Sequence, residues 1–328
     1  MRQAIAEIIS EEFCWLPAYP DGCKDANEVL KAHGEQAVRD LVEKAEPMRS
    51  DGFVPITKIE NAARPRTFTT GLRFLDEHIL CTRPEFFVIG GTAGAGKSTV
   101  AQRIAFGLAW EHGMRVSIFN GEGHESIVLT RARRFWKAMT GMDTANPAVQ
   151  AERDSWLDKH VALVKPPQDQ MPTFEWLLWA MERQAIDRKR QIFLLDPWNE
   201  IIHERPKHSS LTEYTGECIV RMKRLADRHK LILMVAHHVR KPENPKALPN
   251  PYDIADSAHW YNKADHVLIV HRPDESANKT LLYVAKSKDH EIMGRPGRVW
   301  ARMEADPFDI HRLEIAKEGE REAECAHV

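Results

Sequence analysis

From residue 68 onward the apolar positions fall into short unbroken runs separated by helical patterns. Residues 86–89, 116–119, 192–195, 231–236, 266–270 and 280–285 are apolar runs of strand length. Runs that do not alternate with polar residues belong to strands buried on both faces, as in a parallel sheet covered by helices. Between the first two runs, Val100, Ile104 and Leu108 recur at helical spacing, and Gly113 closes the helix. The pattern predicts an α/β domain over 68–315, mainly parallel, with helices on both faces. The late runs 280–285 and 298–303 have short connections and are expected as antiparallel additions.

The first 48 residues follow a different pattern. Asp25 and Glu28, three positions apart, form a start resembling a capping box. Val29, Leu30, Ala37, Val38, Leu41, Val42 and Ala45 then recur at helical spacing, with a break expected at Gly34 and an end at Pro47. Residues 49–67 are polar and hold Gly52, Pro55 and Pro65, which predicts a linker with room for one short helix. Residues 316–328 read as a charged, frayed tail.

Composition narrows the function classes. The 328 residues carry 46 Lys and Arg against 48 Asp and Glu, a formal charge of −2. A globally basic coat is excluded, so nucleic-acid binding requires a local patch. No run of 18 apolar residues exists to form a membrane-spanning helix. The acids in the first dozen residues argue against a leader peptide. The five Cys form no CxxC pair, and the 16 His show no HExxH spacing. Reduced thiols in a cytoplasmic protein are expected, not a disulfide framework or a zinc site.

The strongest chemical signal is the octamer Gly91, Thr92, Ala93, Gly94, Ala95, Gly96, Lys97, Ser98, followed by Thr99. It fits G-x-x-x-x-G-K-[ST], in which glycines admit phosphate oxygens to backbone N–H groups. Lys97 is then expected on the β- and γ-phosphates of ATP and Ser98 on Mg²⁺, at a helix N-terminus whose dipole favours anions. The run 192–195 delivers Asp196, a candidate second metal carboxylate, although strand ends also carry Asp as a turn residue. The run 116–119 leads to Glu122, the candidate base for the attacking water, with Glu125 second and a solvated loop acid as the competing reading. The run 231–236 ends at His237, read as a γ-phosphate sensor or else a hydrogen-bonded core histidine. His237 and His238 are neighbours, so on a strand they point to opposite faces. The basic, Pro-rich stretch after them, with Arg240, Lys241 and Lys246, suits backbone-phosphate contact or forms a solvated face.

In combination these residues resemble a known family. DPWNEI (196–201), LTEYTGE (211–217), VAHHVRKP (235–242) and DIADSAHWYNKAD (253–265) are similar to the helicase domain of Twinkle-type proteins, ring-forming helicases related to the DnaB class. KDANEVLKAHG (24–34) resembles the closing segment of the Toprim domain that precedes such helicases. The resemblance implies a RecA-like P-loop NTPase and a hexameric or heptameric ring. It also implies single-stranded DNA in the channel, 5′→3′ movement, other replication proteins as partners, and a bacterial or phage protein. By motif position it assigns catalysis to Lys97, Glu122 and His237. It assigns DNA contact to the 239–250 loop and to the segment with Ser257 and His259. AKSKDHEIMGRPG (285–297) matches the strand that reaches a neighbouring subunit's nucleotide, with Lys286 and Lys288 where the family has a Lys and an Arg finger. Lys lacks the guanidinium fork, and two solvated strand lysines are the competing reading. The acidic Toprim motifs are absent, so nucleotidyl transfer is not expected. The rival classes are a RecA-like recombinase or loader that does not unwind, and a small-molecule kinase.

Overall fold

The computed structural model describes residues 15–47, 64–240, 244, 246–274, 277–306 and 308–313. The chain divides into two compact units, Met1–Ala63 and Arg64–Val328. In the first, β1 (Trp15–Leu16) pairs antiparallel with β2 (Glu46–Pro47) around α1 (Ala26–Glu43). Asp25 caps α1 by accepting from Glu28 N at 2.9 Å. Glu28 returns a bond to Lys24 N, not to Asp25 N, so the expected box is displaced by one residue. Gly34, at φ 82° and ψ 177°, interrupts the helix where the sequence places the break. Most of the expected linker, and the tail at 316–328, lie outside the described residues.

In the second unit, β3 (Phe68–Thr69) and β4 (Leu80–Cys81) pair around α2 (Arg73–Asp76). Then come β5 (Glu85–Gly91), α3 (Lys97–His112), β6 (Val116–Asn120), α4 (Glu125–Thr140), α5 (Pro147–His160), β7 (Val161–Val164), α6 (Phe174–Ile186) and β8 (Ile192–Asp196). They are followed by α7 (Leu211–His229), β9 (Ile232–His238), α8 (His259–Lys263), β10 (His266–His271), β11 (Thr280–Ser287), β12 (Gly297–Ala305) and β13 (Phe308–Arg312). The nine strands β5 to β13 form one sheet in the order β13-β12-β11-β10-β5-β9-β8-β6-β7. The six from β10 to β7 are parallel, and β11 to β13 are added antiparallel, as the short connections predict.

Two cores explain the unbroken apolar runs. Phe87 and Ile89 of β5 pack with Val100 and Ile104 of α3 and Phe135 of α4. Phe86 and Val88 turn to the opposite face, with Leu177 of α6, Ile219 of α7 and Trp260 of α8. Both faces of β5 are covered over residues 86–89, so all four positions are apolar. From β5 the chain crosses to β6 on one side, whereas β9 is followed by β10 on the other. This reversal opens a crevice at the carboxyl ends of β5 and β9, where open α/β sheets bind ligands.

One buried pair sits at the other end of β5. His266 Nδ1 lies 2.7 Å from Glu85 Oε1 and Nε2 lies 3.0 Å from Met293 O. Both partners face the ring as acceptors, so both ring nitrogens donate and the ring is an imidazolium. Burial opposes that charge, but Glu85 and the Met293 carbonyl outweigh it and hold the His266 pKa above its ordinary value. A raised folded-state pKa gives stability that is complete below the unfolded value, about 6.5, and is lost as pH rises through the folded value. The melting temperature is therefore expected to decline on the alkaline side of neutrality. His266→Gln should flatten that decline in thermal scans across pH, and an identical slope in both proteins would refute the assignment.

Candidate nucleotide site

The loop between β5 and α3 is shaped by its glycines. Gly94 (φ 75°) and Gly96 (φ 96°) adopt left-handed backbone that favours glycine. A Cβ on Gly91 would lie 2.5 Å from Val270 O and 3.1 Å from Lys97 Cγ, so only glycine fits the cradle. No side chain caps the N-terminus of α3, and its first turn carries no acid. The leading amides are therefore left to an anion.

Lys97 is buried, and its Nζ donates to Thr92 O at 2.9 Å and lies 3.2 Å from His238 Nδ1. Lys only donates, so Nδ1 accepts and the hydrogen on Nε2 faces Glu122 Oε1 at 3.2 Å. Lys97, His238 and Glu122 thus form one hydrogen-bonded chain across the crevice. Burial pulls the Lys97 pKa down, against the charges of Glu122 and Asp196. Gly121 N donates to Asp196 O at 2.8 Å, which ties the turn carrying Glu122 to the end of β8.

Asp196 closes the site from β8. Its Oδ1 accepts from Ser98 Oγ at 2.9 Å, while Oδ2 is buried with no hydrogen-bond partner among the described residues. Burial raises its pKa, opposed by Ser98, Lys97 and Arg131. An orphaned carboxylate oxygen beside a hydroxyl is a hard-oxygen donor set that fits Mg²⁺.

The other expected residues are placed as follows. His237 is 1% exposed; its Nδ1 accepts from His238 N at 2.9 Å, its ring meets Trp260 at 5.0 Å, and its Nε2 lies 3.3 Å from Asp256 Oδ2. The ring against Lys97 and Glu122 belongs to His238, not His237. Alternation along β9 signals that the two differ, but only the strand's place beside β5 shows which one faces the loop. Glu125 is paired with Lys165 at 2.8 Å.

Arg240 and Lys246 are exposed, and Lys241 lies outside the described residues. Ala255 N donates to His238 O at 2.9 Å and Arg240 N to Asp253 O at 2.7 Å, which fastens the 253–257 segment to the end of β9. Ser257 is buried, and its Oγ accepts from His259 N at 3.0 Å. His259 packs against Gly216, where a Cβ would come within 2.8 Å of its ring. Ser257 is thus engaged within the chain, whereas the His259 ring is partly exposed beside α7.

Lys286 and Lys288 stand at the far end of the sheet, because β11 runs back along β10. Lys286 Nζ donates to Tyr261 O and Asn262 O, each at 2.9 Å, and Lys288 Nζ lies 3.1 Å from Asp265 Oδ1. Neither reaches the phosphate loop of its own chain.

Residues 78–244, half of the chain, match the family model described as AAA domain. The chain is 27% identical over 301 residues to the Twinkle homolog protein, chloroplastic/mitochondrial, of Arabidopsis thaliana. That match covers 84% of this chain and 42% of the relative, so the chain spans about two fifths of that protein. Among solved structures, an ATPase domain superposes with a TM-score of 0.60 at 16% identity, covering 79% of this chain and 95% of that one. A DnaB-like replicative helicase, solved for its interactions with primase, gives 0.61 at 15% identity, covering 95% and 76%. A KaiC-like protein of Pyrococcus horikoshii gives 0.53 at 14% identity, covering 76% and 100%. These likenesses establish the RecA-like ATPase fold. With half its length matched, and with the phosphate loop and Asp196 inside that span, the chain belongs to the AAA-domain family.

Proposed function

We propose that the chain is an ATP-driven, replicative-helicase-type translocase on single-stranded DNA. The observation that carries this is the Ser98–Asp196 pair, with one open carboxylate oxygen, beside the Lys97–His238–Glu122 chain. The loop amides of Gly91 to Ser98 and the Lys97 ammonium would hold the ATP phosphates. Ser98 Oγ and Asp196 Oδ2 would hold Mg²⁺, which when bound neutralises charge on the β- and γ-oxygens. Glu122 would take the proton of the attacking water.

Phosphate entering the loop competes for the Lys97 ammonium and releases His238 from it. The carbonyl of His238 is bonded to Ala255 N. Its displacement therefore reaches the 253–257 segment and the loop with Arg240, Lys241 and Lys246, which we assign to DNA. The far-edge position of Lys286 and Lys288 fits a cation offered to a second copy's nucleotide, as a hexameric or heptameric ring requires. Movement 5′→3′, and a Toprim-derived origin for residues 1–48, complete the reading. Among the described residues no helix is long and apolar enough to cross a membrane.

ATPase assays with and without single-stranded DNA, run beside unwinding of a forked duplex, test this proposal. We expect DNA-stimulated hydrolysis and strand displacement that both require Lys97. Hydrolysis with DNA-coated filaments and no unwinding would favour the recombinase or loader class. Turnover stimulated only by a small acceptor would favour a kinase.

A further inference from the structure

The sheet edge away from the phosphate loop carries charge that the nucleotide site does not use. Three adjacent parallel strands begin there in register, with Val116 of β6 opposite both Ile192 of β8 and Val161 of β7. Basic residues stand just before each start: Arg115, then Lys159, then Arg188, Lys189 and Arg190. Two guanidiniums lace the strand starts together. Arg115 Nη1 donates to Arg188 O at 3.3 Å, and Arg190 Nη1 donates to Lys159 O at 3.3 Å and Val116 O at 3.4 Å. Positive side chains from three segments are thereby gathered at one place.

No carboxylate among the described residues forms an ion pair with any of the five. Asp187, next to them in sequence, faces Arg183 at 3.8 Å. Lys159, Arg188 and Lys189 are exposed. The crowding registers on the groups it surrounds. Burial first, then Arg115 and Arg188, pull the Arg190 guanidinium below its ordinary value. Buried His160 is lowered by burial and by Lys159, Arg115 and Arg190, against its bond to Met114 O. The chain as a whole carries −2, so this concentration is local. Uncompensated like charges work against the compact state, and an arriving polyanion relieves them.

We propose that this edge is a second nucleic-acid surface, which grips the phosphate backbone of a DNA strand without reading its bases. The proposal rests on the DNA-translocase reading above. Three neighbouring strand starts span about 10 Å, the rise of about three nucleotides at roughly 3.4 Å each. Arginine forks suit phosphate oxygens, whereas a protein carboxylate partner would need side chains placed to match. The edge is separated from Arg240, just past the end of β9, by the length of the parallel strands, roughly 17 Å for five residues.

The test neutralises Lys159, Arg188 and Lys189 together, each to Gln. Among the described residues their side chains make no hydrogen bond or ion pair, so the lacing by Arg115 and Arg190 is kept. Binding of labelled oligo(dT) is measured against salt, with DNA-free ATPase and the thermal midpoint as controls. The log–log salt slope is expected to become shallower by about 2, at roughly 0.7 for each phosphate no longer neutralised, with both controls unchanged. The variant Arg240→Gln/Lys246→Gln should weaken binding separately, and the two sets should add. An unchanged slope in the edge variant, with the loop variant impaired, overturns this inference alone. Wild-type protein that does not bind oligo(dT) overturns the translocase reading as well. Loss of binding to poly-glutamate but not to oligo(dT) would assign the edge to an acidic protein and refute the proposal.

Discussion

Replacing Lys97 with Ala is expected to lower ATP turnover by about 10²–10³-fold, the scale of removing one preorganised donor from a developing oxyanion. Phosphoryl transfer depends almost entirely on positioning and electrostatics, so the missing ammonium has no chemical substitute. The fold should survive. Lys97 donates to Thr92 O and His238, and burial already works against its charge. Deleting a desolvated cation costs the apo protein little and relieves that penalty. The checks are phosphate release at saturating ATP and a thermal melt of the same preparation. Wild-type turnover in a folded variant would remove the nucleotide assignment. His238→Ala gives a milder contrast, since it breaks the link to Glu122 and leaves the phosphate loop intact.

Glu122→Gln is expected to bind ATP normally and to lose about 10²–10⁴-fold in hydrolysis, the usual contribution of a general base. The amide oxygen still accepts from His238 Nε2, so the geometry at 3.2 Å is retained and only basicity is lost. Equilibrium binding of a fluorescent nucleotide, read beside single-turnover hydrolysis, separates the two effects. Glu125→Gln should be nearly silent, because that carboxylate is paired with Lys165. A silent Glu122→Gln and a dead Glu125→Gln would reverse the choice between the two acids.

Several features of the molecule are settled by the chain's local order. The phosphate loop is one continuous stretch, and Gly94 and Gly96 hold left-handed φ for local reasons, whereas the need for glycine at 91 comes from Val270 O on a neighbouring strand. The strands β5, β8 and β9 are legible because burial on both faces leaves unbroken apolar runs. The break at Gly34 and the closure of α3 at Gly113 are legible for the same local reason.

The tertiary structure decided what depends on which strand lies beside which. Alternation separates His237 from His238, but only β9 lying against β5 turns His238 toward Lys97 and buries His237 against Trp260. The sequence already ranks Glu122 ahead of Glu125; the tertiary structure adds that Glu122 Oε1 lies 3.2 Å from His238 Nε2, whereas Glu125 pairs with Lys165. Lys286 and Lys288 are a basic pair in sequence, but the reversal of β11 along β10 places them far from their own phosphate loop. The basic edge is invisible in sequence, because Arg115, Lys159 and Arg188 to Arg190 come from three separate segments. Sequence order carries spacing along the chain, and spacing fixes turns, caps and buried runs. Charge and catalysis act through space, so they were fixed only when the order β8-β6-β7 and the β5–β9 pairing brought distant segments together.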